Sequence, residues 1–248
     1  MNTHFKIIVP FYNVEKYIKQ CLNSVKLQHY NNWQCIIIDD ISTDNSVEIV
    51  EKVIKDDSKF VLISNAEKKF ALANIDRGIN YSDPLKEDVI VTLDGDDFLA
   101  TPYALSMLDS LYSKPDLWIT HGSYLTYPSG LHGKFSQFIA PQKFDNLRKL
   151  HWMSSHLRSF RYGLWDKIDK NDFVEPDGQF FYRVAWDLAF MFPMLEMAGP
   201  EHHQFVEDIL YLYNEGNPLN DHKQNHNLQL QFEQEIRNKP KYERVEQL

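Results

Sequence analysis

The chain has only two cysteines, Cys21 and Cys35, and both sit inside apolar runs. A thiol so placed behaves as a small buried hydrophobe, so the pair is expected to be reduced core, with a single disulfide as the alternative. Two cysteines make no disulfide framework and no metal-type spacing. Long apolar runs are missing as well. None reaches the ~18 residues that a membrane span needs. No apolar stretch precedes the first strand at Phe5, so no signal peptide is read. The expected location is the cytoplasm, or the chain is a catalytic domain of a longer protein. No Lys/Arg block occurs, and the net charge is −9. Nucleic acid needs a basic face, so it is excluded as a partner. What remains is an ordinary globular composition with a high aromatic share, 14%, which suits a core and a sugar-binding surface equally.

The first half alternates strands and helices. Short apolar runs at Phe5–Val9, Cys35–Ile38, Phe60–Ile63 and Val89–Leu93 predict four strands. Helical spacing over 14–28, 45–55 and 70–80, and after Pro102, predicts the helices between and beyond them. Repeated strand–helix units imply a mostly parallel, Rossmann-like α/β sheet flanked by helices. Such sheets bind ligands at the carboxyl ends of their strands. The residues just past the strands are Pro10-Phe11-Tyr12-Asn13, Asp39-Asp40, Ser64-Asn65 and Asp94-Gly95-Asp96-Asp97. Residues 117–185 read as irregular and aromatic, 185–198 as a helix, Phe205 to Tyr213 as a strand, and 222–238 as a polar helix. No repeat or linker interrupts the chain, so 1–248 is read as a single domain, with halves at 1–115 and 116–248.

The run Asp94-Gly95-Asp96-Asp97 packs three carboxylates into four residues. They repel one another unless a cation or hydrogen-bond donors compensate them. Hard ions such as Mg²⁺ or Mn²⁺ take oxygen ligands and share them with substrate phosphates. Gly95 is read as the residue that lets the backbone turn tightly there. The plain alternative is a solvated acidic turn. Asp39 can accept from a base N–H or from ribose hydroxyls, while Ser42, Asp44 or Asn45 caps the next helix.

Together these residues resemble the family 2 glycosyltransferases, an inverting group with the GT-A fold. The matching stretches are Ile8–Asn13 with Glu15 and Tyr17, Ile38–Asp40 with Ser42–Ser46, and Leu93–Asp97 with Pro102. The match covers about the first 110 residues well and the remainder at points. The resemblance implies a nucleotide-sugar donor, a UDP-sugar by expectation, bound by Pro10, Tyr12, Asn13, Asp39, Asn65, Lys69, Asp94, Gly95 and Asp97. Asp96 would hold Mn²⁺ or Mg²⁺ on the diphosphate, with His222 from a late loop, and His226 lies one turn away. Asp187 would be the catalytic base, opening an amphipathic helix. Trp186 stands where the family usually carries Glu, and Asp187 also reads as a simple helix N-terminal acid.

There are departures from the family pattern. The loop 65–71 lacks the usual glycines, and the Ala-Arg-Asn element is not intact in 71–78. The Arg contact then falls to Lys68, Lys69 or Arg77, or is absent. No Gln-x-x-Arg-Trp element exists, which speaks against a processive synthase. The acceptor, a glycan or a glycosylated or hydroxylated protein, is expected on the irregular half. Trp152, Trp165, Tyr182 and Trp186 are candidates to stack on sugar faces, or else are core. The segment His156–Arg161 offers cations to an acidic acceptor instead. A homodimer through the aromatic half or the C-terminal helix is a further expectation. A nucleotidyltransferase would carry a Gly-rich, basic loop after the first strand, which Pro10–Asn13 is not. An inactive glycan-binding module would not need Asp94, Asp96 and Asp187 intact.

Overall fold

The computed structural model describes residues 2–220 and 224–248. Strand β1 (Phe5–Phe11) is buried along its whole length. It lies between β2 (Trp33–Asp39) and β4 (Val89–Thr92), parallel to both, and β2 pairs in parallel with β3 (Phe60–Ser64). These strands are apolar at nearly every position because both faces are covered. Alternate side chains serve different layers. Ile8, Ile36, Ile38 and Ile90 join one core cluster. Ile7, Val9, Cys35, Ile37, Val89 and Val91 join the other, on the side of helix α1 (Ile18–Lys26). Both cysteines are free and buried.

Helix α1 buries Ile18, Cys21, Leu22 and Val25, the stripe that the sequence spacing predicts. Helix α2 (Ser46–Ile54) follows β2. Helix α3 (Phe70–Tyr81) lies on the opposite face of the sheet. It packs so closely that a Cβ at Gly78 would stand 2.7 Å from Ile38 Cδ1 and 2.8 Å from Ile8 Cγ2. Only glycine fits that approach.

The second half departs from the expected irregularity. After the short strand β5 (Phe98–Leu99) and helix α4 (Ala104–Tyr112), the chain adds β6 (Ile119–Tyr127), β7 (Arg158–Arg161) and β8 (His203–Asn214) to the same sheet. The order is β3-β2-β1-β4-β7-β6-β8-β5. Strand β7 runs antiparallel to both β4 and β6, while β8 is parallel to β6. The sheet is therefore parallel in the first half and mixed beyond it. Strands β6 and β7 are hard to see in sequence because Thr120, His121, Arg158 and Ser159 are polar yet buried.

A short helix, α5 (Tyr162–Asp166), leads from β7. The next helix, α6 (Trp186–Ala198), is not amphipathic as expected. Every residue but Asp187 is buried. A helix apolar all round needs cover on all sides. The sheet covers one side; the turns near Phe144 and Phe173, helix α7 (His226–Asn238) and the C-terminal residues Tyr242 and Val245 cover the rest. Arg148 ties this cover together, donating to both Glu196 oxygens (2.7 and 2.8 Å) and to the Ile236 carbonyl (2.6 Å). Among the described residues, no helix is long and apolar enough to cross a membrane.

Candidate active site

A cleft of about 460 Å³ opens at the carboxyl ends of β1 and β4. Its floor is the acidic run. A Cβ on Gly95 would meet Phe11 Cβ at 2.5 Å, and its N–H donates to the Pro10 carbonyl at 3.1 Å. Gly95 is thus required by close approach to β1, rather than by a positive φ. That contact fixes the acids against the Pro10–Tyr12 loop.

The three carboxylates are held differently. Asp97 is buried, accepting from the Tyr211 hydroxyl and from Asn214 N–H, both at 2.6 Å. Both its oxygens face donors on β8, so it anchors the loop rather than reaching for a ligand. Burial, and then Asp96 and Asp94, push its carboxyl well above the usual range. Asp96 accepts from Asn217 Nδ2 at 2.6 Å, and burial raises its carboxyl against that bond. Asp94 also lines the cleft. Carboxylates this crowded carry charge that a hard divalent cation would relieve. Ligand atoms of Asp94, Asp97 and His156 come within 4.8 Å of one another. His156 Nε2, however, already faces Arg158 Nη2 at 3.4 Å, a poor neighbour for a second cation. A cation here would be met by carboxylate oxygen rather than by His156, and Asp96, the expected ligand, is not among the three residues whose ligand atoms converge. His222, the expected late ligand, lies outside the described residues.

One wall is Tyr12, 38% exposed, with Lys68 Nζ 2.9 Å from its ring centroid. Lys68 also pairs with Asp40 at 3.2 Å. Burial alone would raise the Asp40 carboxyl, but donors from Lys69 N–H, Asn74, Asn65 and the Lys68 charge hold it below its usual value. Phe70, at φ 65°, and Ala185, at φ 54°, both line this cleft in the left-handed region, a cost that tends to persist at functional sites.

The opposite wall carries Asp187, the first-turn acid of α6. Its Oδ2 accepts from Arg158 Nη2 at 3.2 Å, and its Oδ1 from Leu188 N–H at 3.1 Å. Burial raises its carboxyl and Arg158 opposes the rise. Trp186 sits beside it in the cleft, with the Arg158 guanidinium 5.2 Å from its ring.

A family model described as glycosyl transferase family 2 matches residues 6–188. The chain belongs to this family. Glycosyltransferase GlyG of Streptococcus pneumoniae serotype 4 is 29% identical over 147 residues, 58% of this chain and 46% of that protein. Staphylococcus aureus TarS 1–349, solved in complex with UDP, superposes with a TM-score of 0.65 at 19% identity, over 87% of this chain and 61% of that one. The mannosyltransferase PcManGT of Pyrobaculum calidifontis, solved with GDP-Man and Mn²⁺, gives 0.58 at 15% identity, over 86% and 57%. These superpositions show the GT-A fold. The chain spans about half the length of the relatives it matches.

Seen as a family 2 chain, the site gathers Pro10, Tyr12, Asp94, Gly95, Asp96, Asp97, Trp186 and Asp187 around one cleft. Several expected residues are elsewhere. Asn13 is turned away, at φ 50°, to bond Ser42 and Thr43. The neighbouring Glu15 and Asp44 bracket the same two loops, Asp44 accepting from Glu15 N–H (3.0 Å) and Glu15 from Asn45 N–H (3.1 Å). That part of the motif locks loops together. Asp39 is buried and accepts from Ser42 N–H at 2.9 Å; Asp40 lines the cleft instead. Asn65 braces Asp40 (2.8 Å) and Asn74 (2.7 Å). Lys69 uses its N–H on Asp40 while its ammonium pairs with Glu67 in a separate outer groove. Of the three candidate cations, Lys68 is the one in the cleft.

Two acceptor candidates are corrected. Trp165 is 1% exposed, packed among Phe160, Phe173 and Phe190. Trp152 lies edge-on to Phe192 at 5.4 Å. Neither lines the cleft, because α6 needs large apolar cover and these rings supply it. Tyr182 is likewise buried. Sequence reasoning missed Phe70, Tyr213 and Asn217 as lining residues. Their only signal is position beside a strand or helix end.

Proposed function

We propose that this chain is an inverting glycosyltransferase that moves one sugar from a nucleotide-sugar donor, a UDP-sugar, to a hydroxyl of a glycan or protein-linked acceptor. The observation that carries this reading is that Asp187 and the acidic run open into one cleft whose far wall is Tyr12 with Lys68. Tyr12 offers a ring face to a base, and Lys68 adds a cation beside it. Asp187 accepts the proton of the attacking hydroxyl. The hydroxyl oxygen bonds to the anomeric carbon as the bond to the diphosphate breaks, so the configuration inverts. Asp96 and Asp94 would hold Mn²⁺ or Mg²⁺, which when bound offsets the charge on the departing diphosphate. Asn217 orients Asp96, and Asp97 with Tyr211 fixes the loop that carries both. Residues 1–248 would act as one catalytic unit, within a protein of any greater length.

The test is a screen of nucleotide sugars with and without Mn²⁺, followed by product analysis. Release of a nucleoside diphosphate is expected. Release of pyrophosphate, or no donor binding with Mn²⁺ in calorimetry, would contradict the reading.

A further inference from the structure

Arg158 is a charged residue in the middle of a sheet, and its side chain is 3% exposed. Its backbone pairs with Thr92 at the end of β4, directly before the acidic loop. Strand alternation puts Arg158 and Phe160 on the face that α6 covers. There the guanidinium lies 5.2 Å from the Trp186 ring and 6.0 Å from that of Phe190. Burying a guanidinium is costly unless its donors are used. Among the described residues Nε and Nη1 have no hydrogen-bond partner, and Nη2 serves Asp187 Oδ2. An arginine retained for stability alone would be better satisfied. This one is placed for a single carboxylate.

The next residue in the network is His156. Its ring lies flat on Tyr211, centroids 4.3 Å apart at 11°, and edge-on to Tyr124 at 5.6 Å. Its Nε2 faces the Nη2 donor of Arg158 at 3.4 Å. Guanidinium cannot accept, so Nε2 must be the unprotonated nitrogen and Nδ1 the protonated one. Burial, and then the Arg158 charge, keep the ring neutral. Tyr211 in turn donates to Asp97 at 2.6 Å. A buried chain thus runs from the acidic run through Tyr211, His156 and Arg158 to Asp187.

We propose that Arg158 is a positioning residue for Asp187, steadied by the His156 lone pair, that fixes the orientation of the half-buried carboxylate and supplies the cation facing it. The proposal rests on the reading of Asp187 as the base. Arg158 borders the cleft with only 3% of its side chain exposed, and the hydrogen bond of its Nη2 goes to Asp187, so its effect passes through that carboxylate. Leu188 N–H holds the other oxygen and leaves one geometry for the carboxylate. Among the described residues, the charged and titratable groups facing Asp187 are Arg158 of β7, Tyr124 of β6 and Glu233 of α7. Of these Arg158 is the cation. Without it, burial and Glu233 both favour the protonated acid, which cannot take a proton from a hydroxyl.

The test compares Arg158→Met, Arg158→Lys and Asp187→Asn, reading UDP release from UDP-glucose or UDP-N-acetylglucosamine, whichever is turned over faster. Rates are taken as kcat and KM across pH, with UDP affinity and Tm measured alongside. In Arg158→Met the acid limb of kcat/KM should move up by about one pH unit or more, so the loss is about tenfold larger at low than at high pH. UDP affinity should stay within about twofold, and Arg158→Lys should restore the limb while lowering kcat, since Lys is only a point charge. A limb unmoved in Arg158→Met, with a uniform loss across pH, overturns the proposal. If Arg158→Met does not fold, His156→Phe against His156→Gln decides. His156→Phe removes the acceptor and should lower kcat at constant KM, and His156→Gln, whose amide oxygen accepts, should restore it. Equal rates in those two would overturn it too. Near wild-type turnover by Asp187→Asn would instead defeat the base assignment itself.

Discussion

Asp187 is the only residue of α6 that is not buried, in a helix that otherwise serves the core. A lone carboxylate kept open in such a helix is placed for the cleft. Its raised carboxyl must be ionised to accept a proton. Activity should therefore fall as pH drops through an acid limb above the ordinary Asp value of about 3.9. Activity that rises as pH is lowered through that limb would contradict its sign. On the facing wall, Lys68→Met removes the cation beside Tyr12. Loss of about 0.5–2 kcal/mol is expected, or roughly 2- to 30-fold in UDP affinity by calorimetry. Unchanged affinity would remove Lys68 from the donor site. The role of Lys68 was only one of three options in the sequence, because Lys68, Lys69 and Arg77 differ by where loop and helix turn them, which the sequence order does not state. The same applies to Asp39 and Asp40. Adjacent residues of a strand end point to opposite sides, and register decides which one meets the cleft.

At the level of elements, the β1, β2, β3 and β4 strands and helices α1, α2 and α3 were legible, since continuous apolar runs and a 3.6-residue stripe have few alternatives. Strands β6 and β7 were not legible. Two of their buried polar residues satisfy each other, Thr120 Oγ1 and Ser159 Oγ at 2.6 Å, and that partnership is long-range. Helix α6 misled in the opposite direction, because a polar start at Asp187 resembles amphipathicity while the cover that buries its other sides comes from distant segments. Close approaches were also hidden. Gly78 appears in sequence as an ordinary helical glycine, yet Gly78→Ala places a methyl against Ile8 and Ile38. Gain in helix propensity would be outweighed by overpacking, with a net loss of about 1–3 kcal/mol in urea unfolding. A more stable Gly78→Ala protein would show that α3 has room to move outward.

Across the whole molecule, one sheet carries both walls of the cleft. The acids sit between β4 and β5, Asp97 is moored to β8, and Asp187 is reached through β7. Crowded acids on that shared frame should make the protein respond to a divalent cation as a unit. Mn²⁺ should raise Tm by about 3 °C or more at neutral pH, and Asp96→Ala should abolish most of that shift. An equal shift in Asp96→Ala would assign the cation elsewhere. The candidate site was legible as a set of strand ends, because an α/β sheet keeps ligands there. Which aromatics faced the cleft was not, since Trp152, Trp165 and Trp186 share a composition and differ only in what packs over them.

The most direct test of the central claim is NMR of the sugar transferred by the wild-type chain, run beside Asp187→Asn with the same donor and acceptor. An inverted anomeric centre is predicted, with Asp187→Asn binding donor normally but transferring about 10²- to 10⁴-fold more slowly. A retained configuration, or transfer by Asp187→Asn at near wild-type rate, would contradict it.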